Sequence, residues 1–169
     1  LVPDPEAGRP QYLGEGDHHL IWRVVQQLGE RLPGIGFAYN AYGAYASVNH
    51  LHFQMFVRER PLPVADPRWR HNGGSEDYPA CCEMFTAPEP AWKRLDELHR
   101  REISYNLVYL PGRLFLLPRP KQGSYRHADW TAGFAWYEMA GGVTAFNRTD
   151  FSIDEGAISS ELARLRLDI

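Results

Sequence analysis

Polar and apolar positions alternate most strictly from Ser47 to Val57, where Leu51, Phe53 and Met55 interleave with His50, His52 and Gln54. Period-two alternation predicts a β-strand, and on a strand successive side chains point to opposite faces. The two imidazoles and the amide therefore share one face, and burial of Leu51, Phe53 and Met55 on the other fixes the register. A different period governs residues 17–28: Leu20, Ile21, Val24 and Leu28 recur at helical spacing behind Asp17, an expected N-cap, and Gly29 and Pro33-Gly34 end the helix. Residues 1–16 ahead of it read as a Pro- and Gly-rich loop. Gly36 to Tyr39 begins a strand, and Asn40 to Tyr45 turns back into the motif segment.

Between Glu59 and Glu89 stand Pro61, Pro63, Pro67, Gly73, Gly74 and Pro79, so a long connection is expected there, of the kind that is usually functional. His71-Asn72-Gly73-Gly74 inside it reads as a turn. Pro90 opens a second helix with Trp92, Leu95 and Leu98 as its apolar stripe. Ser104–Leu110 and Arg113–Leu117 form a hairpin across Pro111-Gly112. A further strand is expected from about Phe134 to Phe146, and a last helix from about Asp154 to Leu167. The divisions that follow are residues 1–58, a connection over 59–89, and an α+β half over 90–169.

Composition narrows the function. With 44% hydrophobic and 13% aromatic residues the chain has material for a core, and a net charge of -3 argues against a binder of nucleic-acid backbone. No apolar run reaches the length of a membrane span and no signal peptide is visible, so no membrane partner is expected. Cys81 and Cys82 are adjacent, which makes neither a disulfide framework nor a zinc grip, and a reducing cytoplasm is the expected compartment.

His50 and His52 suit three roles on residue types alone: a satisfied structural pair, a metal pair, or an imidazole nucleophile with a ring behind it. No neighbouring residues complete a zinc set, so no metal and no cofactor is expected. Lys121, at a strand end, is either solvated or set against a phosphate. Glu138 is either paired in its strand or an acceptor for a sugar hydroxyl. Arg113 and Arg119 flank the hairpin as surface residues or phosphate clamps. His18 and His19 decorate the helix start, His99 and His127 carry no spacing signal, and Trp22 and Trp92 fit core stripes.

Gly36-Phe37-Ala38-Tyr39-Asn40 followed by Ala44-Tyr45-Ala46-Ser47-Val48-Asn49-His50-Leu51-His52-Phe53-Gln54 resembles the histidine-triad superfamily. The His-x-His-x-Gln wording is similar to its nucleotidyltransferase branch, and in particular to the GDP-hexose phosphorylases that act on GDP-L-galactose or GDP-D-glucose. Pro10-Gln11, Tyr78-Pro79, Tyr105-Asn106-Leu107-Val108, Arg113 to Pro118, Lys121-Gln122, Trp136 with Glu138-Met139-Ala140-Gly141, and Asp154-Glu155-Gly156-Ala157 extend the likeness over most of the chain. The resemblance implies an α+β fold: a histidine-triad-like antiparallel sheet with packed helices, then a second related α+β half. It also implies strands and part of a nucleoside pocket upstream of Leu1, so the chain is expected to be a piece of a longer protein or a reduced relative.

By the same resemblance His52 is the nucleophile, His50 its support and Gln54 a donor to a phosphate oxygen, with Asn40, Ser47 and Asn49 on the phosphate side. Lys121 and Glu138 complete the expected binding set. The substrates implied are a nucleotide sugar and inorganic phosphate, through a nucleotidyl-histidine. A dinucleoside-polyphosphate phosphorylase, a nucleotide-sugar uridylyltransferase and a non-catalytic nucleotide-binding module are the alternatives. Relatives of this kind also suggest a homodimer.

Overall fold

A computed structural model describes residues 1–144, 147–148 and 152–167. Five strands make one antiparallel sheet in the order β2-β1-β4-β5-β3, with β1 Ile35–Asn40, β2 Gln54–Val57, β3 Glu83–Phe85, β4 Ser104–Leu110 and β5 Arg113–Arg119. The strands β1 and β4, from before and after the long connection, are direct neighbours through pairs such as Ala38 with Val108 and Asn40 with Asn106. The connection itself supplies β3, which pairs with β5. Pro111-Gly112 closes the β4–β5 hairpin with Gly112 at φ 78°, the positive value that a Pro-Gly turn needs at its second position. This is the expected hairpin, extended at its far end to Arg119.

Strict alternation along β4 and β5 divides two cores. Tyr105, Leu107, Tyr109, Leu114 and Leu116 face one side, where the helices α1 Glu15–Gly29 and α2 Pro88–Arg100 pack with Ile21, Val25, Leu95 and Leu98. Val108, Phe115 and Leu117 face the other, under Leu62, Val64, Tyr78, Phe134, Met139 and Leu162. Burying both faces of a sheet strand removes the polar face from its pattern, which is why β1 is buried along its whole length.

Several expectations are corrected. The motif strand is short: residues 47–53 are irregular and β2 begins only at Gln54. The Leu51 and Phe53 side chains are buried as the pattern requires, whereas Met55 is 58% exposed, because β2 is an edge strand that runs past the packed helix. The first helix begins at Glu15 with Gly14 as N-cap, and Asp17 reaches back from the third position to accept from Gly14 N at 3.2 Å. Its buried stripe is His18, Ile21, Trp22 and Val25, so His18 is core and not decoration. Finally, no strand forms over 134–144: residues Trp136–Met139 make a one-turn helix, α3, while the end of that expected strand, Phe146, lies outside the described residues. Pro88, two residues earlier than expected, opens α2, and Asp154 caps a shorter last helix, α4, over Glu155–Ala163 by accepting from Ala157 N at 2.7 Å.

Candidate functional site

His52 owes its position to the end of β1. The last ladder pair between β1 and β2 is Ala38 with Gln54, so the register carries Asn40 opposite His52. Leu51 and Phe53 anchor the segment in the helix-side core, 1% and 2% exposed, and His50, His52 and Gln54 stay outside that core. Both imidazoles are half-buried and Gln54 is exposed.

His52 Nδ1 lies 2.8 Å from the carbonyl oxygen of His50. A carbonyl oxygen only accepts, so Nδ1 carries a proton, and in the neutral ring Nε2 is then the nitrogen with the lone pair that a nucleophilic imidazole requires. Gln54 is oriented by a residue far along the chain: Trp136 Nε1 donates to Gln54 Oε1 at 2.5 Å. With its oxygen occupied, the amide presents its NH2 group outward. The indole that does this stacks on Phe56 with ring centroids 4.9 Å apart.

Asn40 is 3% exposed and ties three segments together. Its Oδ1 accepts from Asn106 Nδ2 at 2.7 Å and from the backbone N of Trp136 at 3.0 Å, and its Nδ2 donates to Tyr45 O at 3.4 Å. Asn106 Nδ2 also reaches Ala44 O at 2.9 Å. The loop leading to Ser47 is thus held on fixed amides. Tyr45 within it takes a positive φ of 63°, a strain of about 1 kcal/mol that the surrounding bonds must offset. Tyr45 N donates to Gln122 Oε1 at 2.7 Å and Gln122 N donates to Gly43 O at 2.6 Å. Gly43 takes a positive φ of 78°, and a Cβ there would lie 2.6 Å from Ser104 Oγ and 2.7 Å from Lys121 Cγ, so a larger residue at this position would be strained.

Ser47, Asn49 and Lys121 line one cavity of about 390 Å³ together with Tyr42, Gly43 and Gln122. Lys121 Nζ rests 5.0 Å from the centre of the Tyr42 ring. The structure therefore brings the side chains of three expected phosphate-side residues to one concavity, next to the loop that Asn40 holds. Glu138 is placed differently. It is buried at the start of α3, with Oε2 accepting from Ala135 N at 3.1 Å and Oε1 from Thr144 Oγ1 at 2.5 Å, so protein donors occupy both oxygens. Arg119 is also not a surface clamp: 1% exposed, it donates to Phe134 O and, at 3.0 Å, to Tyr125 Oη, and lies 4.9 Å from the Tyr45 ring. Loss of water at this buried guanidinium moves its pKa down from the ordinary arginine value.

Two contributors, Gln11 and Asn106, carry no spacing signal in the sequence beyond standing in stretches that resemble the family. Gln11 is buried against the backbone of His52. No set of three His, Cys, Asp or Glu side chains among the described residues is placed to share a metal ion. Among those residues no helix is long and apolar enough to cross a membrane.

No family model matches the sequence. GDP-D-glucose phosphorylase 1 of Bos taurus is 29% identical across 90% of this chain and 47% of its own length, so the chain spans about half of that curated relative. Among solved structures, yeast Ap4A phosphorylase Apa2 superposes with a TM-score of 0.72 at 13% identity, covering 95% of this chain and 66% of that one. The same enzyme in complex with Ap4A gives a TM-score of 0.68 at 15% identity over 92% of this chain and 65% of its own. The antiparallel sheet with its packed helices is the fold of that enzyme. With His-x-His-x-Gln written at the head of β2, the chain is similar in sequence to a GDP-D-glucose phosphorylase and shares its fold with an Ap4A phosphorylase.

Proposed function

We propose that this chain carries the site of a phosphorylase-type nucleotidyltransferase whose donor is a GDP-hexose and whose acceptor is inorganic phosphate. The observation that carries the reading is the His52 ring, with Nδ1–H committed to His50 O and Nε2 turned away from that bond. The 29% identity to GDP-D-glucose phosphorylase 1 supports the choice of donor.

In the first step Nε2 of His52 attacks the α-phosphorus, a P–N bond forms, and the bond from that phosphorus to the bridging oxygen breaks. Hexose-1-phosphate leaves with the electron pair, and the imidazole becomes a nucleotidyl-imidazolium. Its new positive charge strengthens the Nδ1–H bond to His50 O. In the second step an oxygen of inorganic phosphate attacks the same phosphorus, the P–N bond breaks, and GDP departs from a neutral His52. Dividing one displacement into two lets similar donors and acceptors use one pocket in turn.

Gln54 donates its NH2 to a nonbridging oxygen and adds no titrating proton. Ser47, Asn49 and Lys121 meet the phosphate groups at the cavity they line, and charge that develops there is met by donors fixed in advance. Glu138 accepts a hexose hydroxyl in exchange for Thr144 Oγ1.

The test is intact-protein and peptide mass spectrometry after mixing with GDP-hexose in the absence of phosphate, with Ap4A and UDP-hexose as competing donors. A guanylyl adduct on the His52 peptide, discharged by phosphate to GDP, is the expected result. An adduct from Ap4A alone would reassign the donor to a dinucleoside polyphosphate. No adduct from any of the three would overturn covalent transfer in favour of a binding module.

A further inference from the structure

We propose that Gln11 is the positioning residue of the histidine site, acting as a peptide unit made from a side chain. The inference rests on the transfer reading above for its kinetic part only. Beyond the Ala38–Gln54 pair, where Asn40 would meet His52 across the sheet, the Gln11 carboxamide bridges the two strands. Its Nε2 donates to Asn40 O at 2.8 Å and to His52 O at 3.4 Å, and its Oε1 accepts from His52 N at 3.0 Å. A carboxamide carries the same acceptor and the same kind of donor as the peptide unit it replaces. Both backbone polar groups of His52 are thereby assigned to one side chain, and at 2% exposure water does not compete for them.

The neighbouring peptide is fixed from the same short stretch. Leu51 N donates to Arg9 O at 2.9 Å, and Leu51 N belongs to the peptide whose carbonyl is His50 O, the partner of the His52 ring. Gln11 N in turn donates to Asn49 Oδ1 at 3.0 Å. Residues 9–11 consequently hold the three successive peptides that set where the ring stands and which nitrogen bears its proton. Because His52 has left the regular ladder, no strand partner would restore that geometry if the amide were removed. Irregular backbone next to a fixed side-chain amide lets the histidine sit beyond the sheet's end without a buried polar group left unmet.

Three variants test this. Gln11→Ala is expected to lower kcat by about a hundredfold with KM within about threefold of the parent, as a misplaced nucleophile does. Nitrogen NMR of the His52 ring should change from the Nδ1–H tautomer to a mixture. Gln11→Glu separates positioning from mere stability: its carboxylate cannot donate to Asn40 O, whereas its protonated form can. Activity relative to the parent is expected to recover as the pH falls and the carboxyl takes up its proton, in a form isosteric with the amide that remains folded. Gln11→Asn, one methylene short, should fall between the other two.

Per folded molecule, a kcat within about threefold of the parent in Gln11→Ala with the tautomer retained would overturn the proposal. So would a Gln11→Glu profile parallel to the parent's at every pH. Failure of the parent to form any nucleotidyl adduct would instead count against the transfer reading, while the tautomer comparison would still decide the role of Gln11.

Discussion

Two histidines of this chain, His18 and His52, each set one ring nitrogen against a backbone carbonyl, and they differ in what the second nitrogen does. His18 is fully buried between α1, α2 and β4. Its Nε2 lies 3.0 Å from Pro88 O and must carry the proton, and its Nδ1 accepts from Tyr109 Oη at 2.8 Å. Burial holds its pKa down to about 4 from 6.5, more than the bond to Pro88 O raises it. Trp22, Trp92 and Tyr109 surround the ring at centroid distances of 6.0, 6.0 and 5.7 Å. His52 is half-buried, gives Nδ1–H to His50 O, and shows no hydrogen bond at Nε2 among the described residues. A ring with both nitrogens spent is a strut; a ring with one spent and one turned outward is a reagent. Residue type and local spacing do not distinguish them, because the difference lies in how many partners the fold supplies.

That contrast can be broken most severely at the reagent. His52→Ala is expected to lower phosphorolysis by about a thousandfold or more while urea unfolding stays within about 0.5 kcal/mol of the parent, since the half-buried ring belongs to neither hydrophobic core. A stability loss as large as that of a core variant would erase the distinction.

The strut is the next largest target. His18→Ala should destabilise by about 3 kcal/mol, through a cavity among three aromatic rings and a Tyr109 hydroxyl left without its acceptor, with kcat per folded molecule unchanged. The pH dependence sharpens the same point. The folded value lies below the unfolded one, so the stabilisation is fully present above pH 6.5 and is lost as the pH falls from there through about 4. About 3 kcal/mol of unfolding free energy should disappear across that window in the parent. In His18→Ala this component should be absent, which equilibrium unfolding at a series of pH values would read directly.

Smallest is the effect expected at Trp136. Trp136→Phe keeps a ring to stack on Phe56 but removes the donor to Gln54 Oε1, freeing the amide to turn over. A loss of about fivefold in kcat, worth about 1 kcal/mol, with little change in melting temperature is the expected outcome. An unchanged rate would mean that Gln54 needs no such orientation.

The sequence made some of this legible for identifiable reasons. Pro111-Gly112 between two apolar runs names its own turn, and β4 and β5 pair across it as read. Leu51 and Phe53 take the buried positions that the alternation assigns them, and His50, His52 and Gln54 stay outside the core. Other features were closed to it. The stretch from Phe134 onward is apolar enough to read as a strand, but the described part forms a one-turn helix in which Glu138 caps Ala135 N and Trp136 N bonds Asn40, a residue 96 positions away. Met55 obeys the alternation and is nevertheless exposed, since an edge strand need not be covered on both faces. Arg119, expected at a surface, is buried against Tyr125 and Phe134 from the connection after β5 and Tyr45 from the loop after β1.

By itself, then, the sequence determined the elements whose signals are local: two amphipathic helices, a Pro-Gly hairpin, and an apolar-polar alternation that buries Leu51 and Phe53 and leaves two imidazoles and an amide outside the core. Tertiary structure alone decided which nitrogen of each histidine is occupied, because Pro88 and Tyr109 come to His18 from 70 and 91 residues away. It also decided that Gln11, 41 residues from His52, closes the gap at the end of β1. A hydrogen bond depends on the separation and angle of two groups in space, and those are set by packing between elements that no local pattern records.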